Sequence, residues 1–165
     1  MSSTSEKVTT PMTICFFLNR EQQLVLLAKK TRKIGIGKFN GYGGKNNYGE
    51  SAFNCALREC TIECGLTFTE DNTERVAQIA FQHKEGRIIK ESLCDIFVIN
   101  KWEGIPKASE EMIEPEWFSL SNLPFNDMMP GDSAWIGRAL DKQTSYFTGT
   151  IVFNDKGEVE DVSLS

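Results

Sequence analysis

The sequence predicts one α/β domain in which a mixed sheet lies between two helices, an α/β/α layering. Three observations indicate it: short β-rich apolar runs separated by polar turns, one amphipathic helix directly after a glycine-dense loop, and a second helical segment near the C-terminus. The 165 residues suffice for one core, and they contain no repeat, low-complexity segment or linker. We therefore predict a single domain over 1–165, with a flexible lead-in over 1–8.

The predicted strands are short runs rich in β-branched and aromatic residues. The first two form a hairpin around a polar turn at 19–23, and the next two are joined by a polar turn at 84–86. The last two close the chain as a hairpin around 154–157. In chain order the predicted strands are 13–18, 24–28, 75–82, 92–99, 116–119, 146–153 and 159–164.

The first predicted helix spans 50–64, because apolar residues recur there at intervals of three and four. Gly65 follows at once, at the position where helices prefer a left-handed residue. A second helix is predicted over 133–142, with Asp132 or Ser133 as its N-cap. The apolar face of the first helix comprises Ala52, Phe53, Ala56, Leu57, Cys60 and Cys64.

The charge and cysteine content argue against several classes of protein. A net charge of −5 disfavours a nucleic-acid polymer as partner, because phosphate binding requires a basic surface. A single histidine disfavours a histidine-rich zinc site, and five cysteines without paired Cys-x-x-Cys spacing indicate idle thiols in a reducing compartment. The N-terminus lacks the apolar region of a signal peptide, and no apolar run could span a membrane. We expect a cytoplasmic protein that acts on a small ligand.

Two glutamates on the first helix carry the chemistry. Glu59 and Glu63 are four residues apart, so they lie on one helical face and repel each other when both are ionised. A divalent cation between them reverses the repulsion, and Mg²⁺ prefers such hard oxygen ligands together with water and phosphates. Arg58 can orient carboxylates, and Glu50 lies about two turns before it. The pattern predicts half of a metal–phosphate site, with Arg58 as an aiming residue.

Glycine-rich and basic segments precede this helix. The loop Gly43-Gly44-Lys45 leads to the helix N-terminus, which favours anions. Lys30 and Lys45 are candidate phosphate contacts, with a solvated position as the alternative for each. The same two alternatives stay open for the basic cluster, which comprises Lys29, Lys30, Arg32 and Lys33.

The segment 44–66 resembles the Nudix box, G-x5-E-x7-R-E-U-x-E-E-x-G-U, in which U is a bulky apolar residue. Ile62 departs from it, because the family has a glutamate there. The stretches 35–45, 111–117 and 124–135 are similar to eukaryotic-type MutT homologues, which hydrolyse oxidised purine nucleoside triphosphates such as 8-oxo-dGTP to the monophosphate and pyrophosphate. The residues that match the box are Gly44, Glu50, Arg58, Glu59, Glu63, Gly65 and Leu66.

The resemblance implies a Nudix-type α/β/α sandwich with a mixed sheet and a catalytic loop-helix-loop. It also implies a nucleoside triphosphate substrate and Mg²⁺ as the cofactor, with Mn²⁺ as the alternative. The implied metal ligands are Glu59, Glu63, Glu111 and the carbonyl of Gly43. Any of the three glutamates could deprotonate the attacking water. Because Ile62 removes one carboxylate, we expect weaker metal binding with activity retained.

The same resemblance implies a base pocket, whose residues include Asp132 and Phe81. Asp132 has the helix N-cap as its alternative role, and Phe81 has a place in the core. Met129 stands where the family branch has a stacking tryptophan, and Gly131 stands where it has a second aspartate. The resemblance therefore implies the reaction more strongly than it implies selectivity for 8-oxo-dGTP. The implied pocket residues are Thr13, Asn40, Phe81, Met112, Met129 and Asp132.

Two other functions stay open at this stage. Met129 and Gly131 favour a different nucleoside diphosphate derivative, such as a dinucleoside polyphosphate, as the substrate. Ile62 favours a catalytically weak nucleotide-binding module. The family includes both monomers and homodimers, and the sequence does not choose between them.

Overall fold

A computed structural model describes residues 6–165 of the chain. Within that range, nine strands and two α-helices follow one another, with short 3-10 turns between some of them. The strands are β1 (Glu6–Asn19), β2 (Leu24–Lys30), β3 (Phe39–Asn40), β4 (Tyr42–Lys45), β5 (Thr73–Glu85), β6 (Ile88–Ile99), β7 (Met112–Ser119), β8 (Phe147–Phe153) and β9 (Val159–Leu164). The helices are α1 (Ala52–Cys64) and α2 (Ile136–Leu140).

The strands form one mixed sheet in the order β3-β2-β1-β6-β5-β8-β9, with β4 paired to β1 and β7 to β2. The pairs β1–β6 and β5–β8 are parallel, and the other pairs are antiparallel. Both parallel pairs join strands that are not consecutive in the chain, since a parallel pair needs a long connection. The predicted mixed sheet is confirmed.

Side-chain alternation along β1 gives the sheet two buried faces. Phe16 and Leu18 pack in a core with residues of α2, whereas Cys15 and Phe17 pack in a second core with residues of α1. Successive side chains of a strand point to opposite faces, so one apolar strand supplies both cores. The α/β/α layering is confirmed.

The first helix ends at Cys64 as predicted, but it begins at Ala52 rather than at 50. The Ser51 hydroxyl accepts a hydrogen bond from the Asn54 N–H at 3.1 Å, which caps the first turn. Gly65 ends the helix at φ +76° and donates to the carbonyls of Cys60 and Thr61. The buried face holds Cys55, Ala56, Cys60 and Cys64 together with Glu63, the one ionisable residue on it apart from the thiols.

Several predicted boundaries differ from the structure. The predicted helix 133–142 is a 3-10 turn at Asp132–Ala134 followed by α2, because the backbone of Trp135 departs from helical geometry between them. Neither Asp132 nor Ser133 caps α2 through its side chain, so that prediction was wrong. Residues 6–8, predicted as part of a flexible lead-in, pair with β6, and residues 1–5 lie outside the described range.

The remaining differences extend the sheet. β7 starts at Met112 rather than at 116, and the glycine-dense loop contains β3 and β4. All five cysteines are buried and unpaired, as their spacing indicated. No helix in residues 6–165 combines the length and the apolarity that a membrane span requires.

We predict that Phe17→Ala lowers the free energy of unfolding by about 3–5 kcal/mol. Phe17 is fully buried, and its ring meets the rings of Tyr42, Phe68 and Trp102 edge to face at 5.6–6.0 Å. Chemical denaturation measures the loss. Tyr48→Ala, which truncates a fully exposed ring, is the control. Equal effects of both variants would contradict the assigned core.

Candidate metal and nucleotide site

The glycine loop lies directly against β1. Gly43 and Gly44 in β4 pair with Ile14 and Thr13 of β1. A Cβ atom at Gly43 would lie 1.9 Å from the carbonyl oxygen of Thr13, a separation that no side chain tolerates. This approach therefore requires glycine.

The same loop fixes the two helix glutamates. A Cβ at Gly44 would lie 2.6 Å from Cδ of Glu59, so the carboxylate occupies the space that a side chain would fill. The Gly43 N–H donates to Oε1 of Glu63 at 2.9 Å. Loop and helix thus hold Glu59 and Glu63 beside each other, as their spacing predicted.

Arg58 joins three parts of the site. Its guanidinium donates to both carboxylate oxygens of Glu50 at 2.8 Å and to Oε1 of Glu59 at 2.7 Å. It also donates to the carbonyl of Lys45 at 3.0 Å. The hydrogen bonds from Arg58 lower the pKa of Glu50 to about 2 and raise the pKa of Arg58. These contacts match the predicted aiming role of Arg58.

A cleft of about 390 Å³ collects the acidic residues. Glu111, which comes from the segment before β7, reaches it because the Thr31 N–H bonds the Glu111 carbonyl at 3.0 Å. A larger cavity of about 460 Å³ lies at the β1–β2 turn and α2, but it contains no residue of the glycine loop or of α1. The cleft is lined by Arg32, Glu59, Ile62, Glu63, Ser109, Glu110 and Glu111.

The electrostatics of the cleft favour a cation. Burial, followed by the charges of Glu59 and Glu111, raises the pKa of Glu63 to about 7, although the Gly43 N–H and Lys30 oppose the rise. The donor set is made of hard oxygens, which suits Mg²⁺. Within residues 6–165, no three histidine, cysteine, aspartate or glutamate side chains are already arranged to hold a metal ion. Glu59 is instead paired with Arg58, and Glu111 with Arg32. A bound ion would complete its shell with water and phosphate oxygens.

A buried carboxyl group lies on the other face of the sheet. Asp132 is 4% exposed; its Oδ1 accepts from the Trp135 indole N–H at 3.3 Å, and within the described structure its Oδ2 has no partner. Burial raises the pKa of Asp132 to about 7. The centroid of the Phe81 ring lies 5.8 Å from that of the Trp135 ring, so Phe81 and Asp132 both contact Trp135.

Lys30 lies near both regions. A Cβ at Gly35 would be 3.2 Å from Sδ of Met129 and 3.6 Å from Cδ of Lys30, so both side chains border the β2–β3 loop. Burial lowers the pKa of Lys30, and the charges of Glu63 and Glu111 oppose that change. Lys30 therefore connects the acidic cleft with the segment that carries Asp132.

The remaining predicted substrate residues lie in different parts of the structure. The Thr13 hydroxyl is buried against the Cys55 thiol at 3.5 Å, and Met112 is buried in the core under α1, so both side chains face away from the Asp132 side of the sheet. Their predicted base contacts stay predictions. Asn40 is half-buried, and its Oδ1 accepts from the Gly41 N–H at 2.8 Å. Lys45 is exposed and does not line the cleft.

Comparison with known proteins assigns the chain to a family. The family model described as the NUDIX domain matches residues 9–139. The chain belongs to the Nudix family. Proteins named oxidized purine nucleoside triphosphate hydrolase from Mus musculus and Danio rerio are each 37% identical to this Nudix chain, over 144 residues (87% of this chain, 88% of the mouse protein) and 146 residues (84% and 89%).

Solved structures show the same Nudix fold. A MutT protein from Bacillus halodurans superposes with a TM-score of 0.79 at 24% identity, covering 94% of this chain and 97% of that one. A MutT Nudix hydrolase from Burkholderia pseudomallei gives a TM-score of 0.57 at 20% identity, over 71% and 88%. The predicted family and fold class are therefore confirmed.

Sequence reasoning missed residues that the structure places in or beside the site. Arg32 belonged to the basic cluster but was not singled out, although it is the member that lines the cleft. Trp135 was not selected, yet its indole holds Asp132 from three residues away. Cys55 supports the glycine loop through Thr13 and the Gly44 carbonyl. Only Trp135 had a local indication, since it follows Asp132 at helical spacing.

We predict that Gly44→Ala displaces Glu59 and weakens Mn²⁺ binding about ten-fold or more, because its Cβ would overlap the carboxylate. Electron paramagnetic resonance of free Mn²⁺ measures the affinity. Gly137→Ala is the matched control, since a Cβ there meets no atom within 4 Å. Unchanged affinity in Gly44→Ala would show that Glu59 does not hold the ion.

We also predict that Asp132→Asn changes the pH dependence of stability. The folded protein raises the pKa of Asp132 from 3.8 to about 7, so it binds this proton more tightly than the unfolded chain does. Its stability therefore falls as pH rises between those values, by at most about 4 kcal/mol from this group. Chemical denaturation from pH 4 to 8 should show that the stability of Asp132→Asn rises relative to that of the unmodified protein as the pH increases. Parallel plots of stability against pH for the two proteins would contradict a raised pKa of the buried Asp132 carboxyl group.

Proposed function

We propose that this Nudix chain is a Mg²⁺-dependent pyrophosphohydrolase that cleaves oxidised purine nucleoside triphosphates to the monophosphate and pyrophosphate. The observation that carries the proposal is the pairing of an acidic cleft with a buried, half-satisfied carboxyl group at Asp132, with Lys30 near both. The two curated relatives, which are named for oxidised purine nucleoside triphosphates, support the substrate class.

The proposed metal ligands are Glu59, Glu63, Glu111 and the Gly43 carbonyl. Mn²⁺ accepts the same oxygen donors. When bound, the divalent ion polarises phosphoryl oxygens and neutralises charge on the leaving pyrophosphate. Each of these three carboxylates has a partner within the chain: Arg58 contacts Glu59, the Gly43 N–H contacts Glu63, and Arg32 contacts Glu111.

The residues of the chain orient the reactants and accept the proton. Arg58 keeps Glu59 in place, and its other hydrogen bonds go to Glu50 and to the Lys45 carbonyl, so its guanidinium is engaged by residues of the chain itself. The attacking water gives its proton to one of the cleft carboxylates Glu59, Glu63 and Glu111. Arg58 and Glu50 are therefore positioning residues.

The proposed base site lies around Asp132, with Phe81, Met129 and Asn40. A carboxyl group with a pKa near 7 can accept from ring N–H groups when ionised and donate to a ring acceptor when protonated. The bond from Gly41 uses only the Asn40 carbonyl oxygen, which leaves two N–H donors for a purine edge. The net charge of −5 fits a substrate from the free nucleotide pool rather than a nucleic-acid polymer.

We predict that the purified protein with Mg²⁺ converts 8-oxo-dGTP to 8-oxo-dGMP and pyrophosphate faster than it cleaves dGTP. Glu63→Gln should lower the rate at least about a hundred-fold, because it removes a metal ligand and a proton acceptor together. Chromatography resolves the products from a panel of dGTP, 8-oxo-dGTP, dATP, 2-hydroxy-dATP, dCTP and a diadenosine polyphosphate. Glu21→Gln, an exposed glutamate in the β1–β2 turn, is the matched control.

Other outcomes point to the remaining functions. Cleavage of the diadenosine polyphosphate alone would reassign the substrate to dinucleoside polyphosphates. If nucleotides bind and none is cleaved, the chain is a nucleotide-binding module that Ile62 has deprived of turnover. Equal rates for Glu63→Gln and the unmodified protein would refute the assigned metal site.

A further inference from the structure

The acidic cleft has an unusual distribution of charge. Ile62, where the Nudix box has a glutamate, lines the cleft with its side chain 66% exposed. The lining residues still include four carboxylates, and the described part of the lining contains a single cationic side chain, that of Arg32. A triphosphate chain that enters this cleft meets strong repulsion unless cations accompany it.

Arg32 is held by one carboxylate. Its guanidinium donates to Oε1 of Glu111, and the two side chains are 55% and 37% exposed. Arg32 begins the β2–β3 loop, in which Lys33, Gly35 and Gly37 all have a positive φ. The pair is accessible to solvent, so its net stabilisation is small and an incoming ligand can replace it.

We propose that Arg32 binds the phosphate chain in the cleft. A glutamate in place of Ile62 would recruit a further metal ion, and Arg32 supplies positive charge instead of that ion. The proposal rests on the proposed function, because it assigns a contact to the phosphates of that substrate. A guanidinium presents the same fork of donors to a phosphate as to a carboxylate. Arg32 can therefore exchange Glu111 for phosphate oxygens when Glu111 turns to the metal.

The structure distinguishes Arg32 from the rest of the basic cluster. Lys29 is paired with Glu114 at 3.0 Å and lies over the Phe39 ring at 5.2 Å. Lys30 is partly buried between the cleft and Met129. Lys33 is exposed and does not line the cleft. Of these four residues, Arg32 alone combines a cleft position, access to solvent and an exchangeable partner.

Binding of inorganic tripolyphosphate in the presence of Mg²⁺, measured by isothermal titration calorimetry, tests the proposal without a base or a hydrolytic step. Arg32→Ala should weaken binding about ten- to a hundred-fold, and Arg32→Lys should restore only part of the loss. Lys33→Gln is the matched control from the same loop; it should stay within about two-fold. Thermal denaturation of each variant verifies folding.

The compensation is tested in an Ile62→Glu background. There the added carboxylate recruits a further cation, so Arg32→Ala should weaken tripolyphosphate binding by less than about three-fold. An undiminished effect in that background would refute the compensation, and equal effects of Arg32→Ala and Lys33→Gln would refute the contact itself. Nucleotide turnover is measured separately. If no nucleotide is cleaved, the proposed function is overturned, but a loss of tripolyphosphate binding in Arg32→Ala still supports the phosphate contact.

Discussion

The site depends on the ion pairs of one arginine. Arg58 binds Glu50 before the helix, Glu59 on the helix and the Lys45 carbonyl in the glycine loop, so one guanidinium ties the three segments together. A planar fork of fixed donors can hold such partners in one geometry, whereas a lysine would offer a point charge. With these contacts in place, the loop can approach β1 as closely as its glycines allow, and Glu59 and Glu63 are forced together despite their repulsion. The metal-binding potential of the cleft follows from this enforced proximity.

The sheet separates the two tasks of the site. α1 covers one face and presents the carboxylates, whereas the segment with Asp132 and Trp135 packs on the other face. Lys30, at the end of β2, lies where the two regions approach each other. The proposed phosphate chemistry and the proposed base contacts can therefore change independently, because substitutions such as those at Met129 and Gly131 leave the contacts of α1 intact.

Local features were predictable from the sequence, and distant ones were not. The proximity of Glu59 and Glu63 and the end of α1 at Gly65 follow from helical spacing and capping, which involve neighbours in the chain. The pairing of Arg32 with Glu111 joins residues 79 positions apart and depends on how β2 meets the segment before β7. Thr13 was selected from the family resemblance, which does not reveal that its hydroxyl contacts the Cys55 thiol, 42 positions away in the chain. The sequence left Asp132 open between a helix cap and a pocket residue, because the surroundings of its unpaired oxygen depend on tertiary packing.

The five buried cysteines have a consequence for the durability of the protein. Burial raises the pKa of Cys55 to about 11 and of Cys64 and Cys94 to about 12, and Cys60 is shifted in the same direction. Peroxides attack the thiolate form, and access to the sulfur sets the rate together with its ionisation. Cys15, Cys60 and Cys64 lie in the core between the sheet and α1, where a sulfenic acid would disrupt packing. Burial thus protects the thiols of Cys55, Cys60, Cys64 and Cys94 twice, by limiting access of an oxidant and by keeping them protonated.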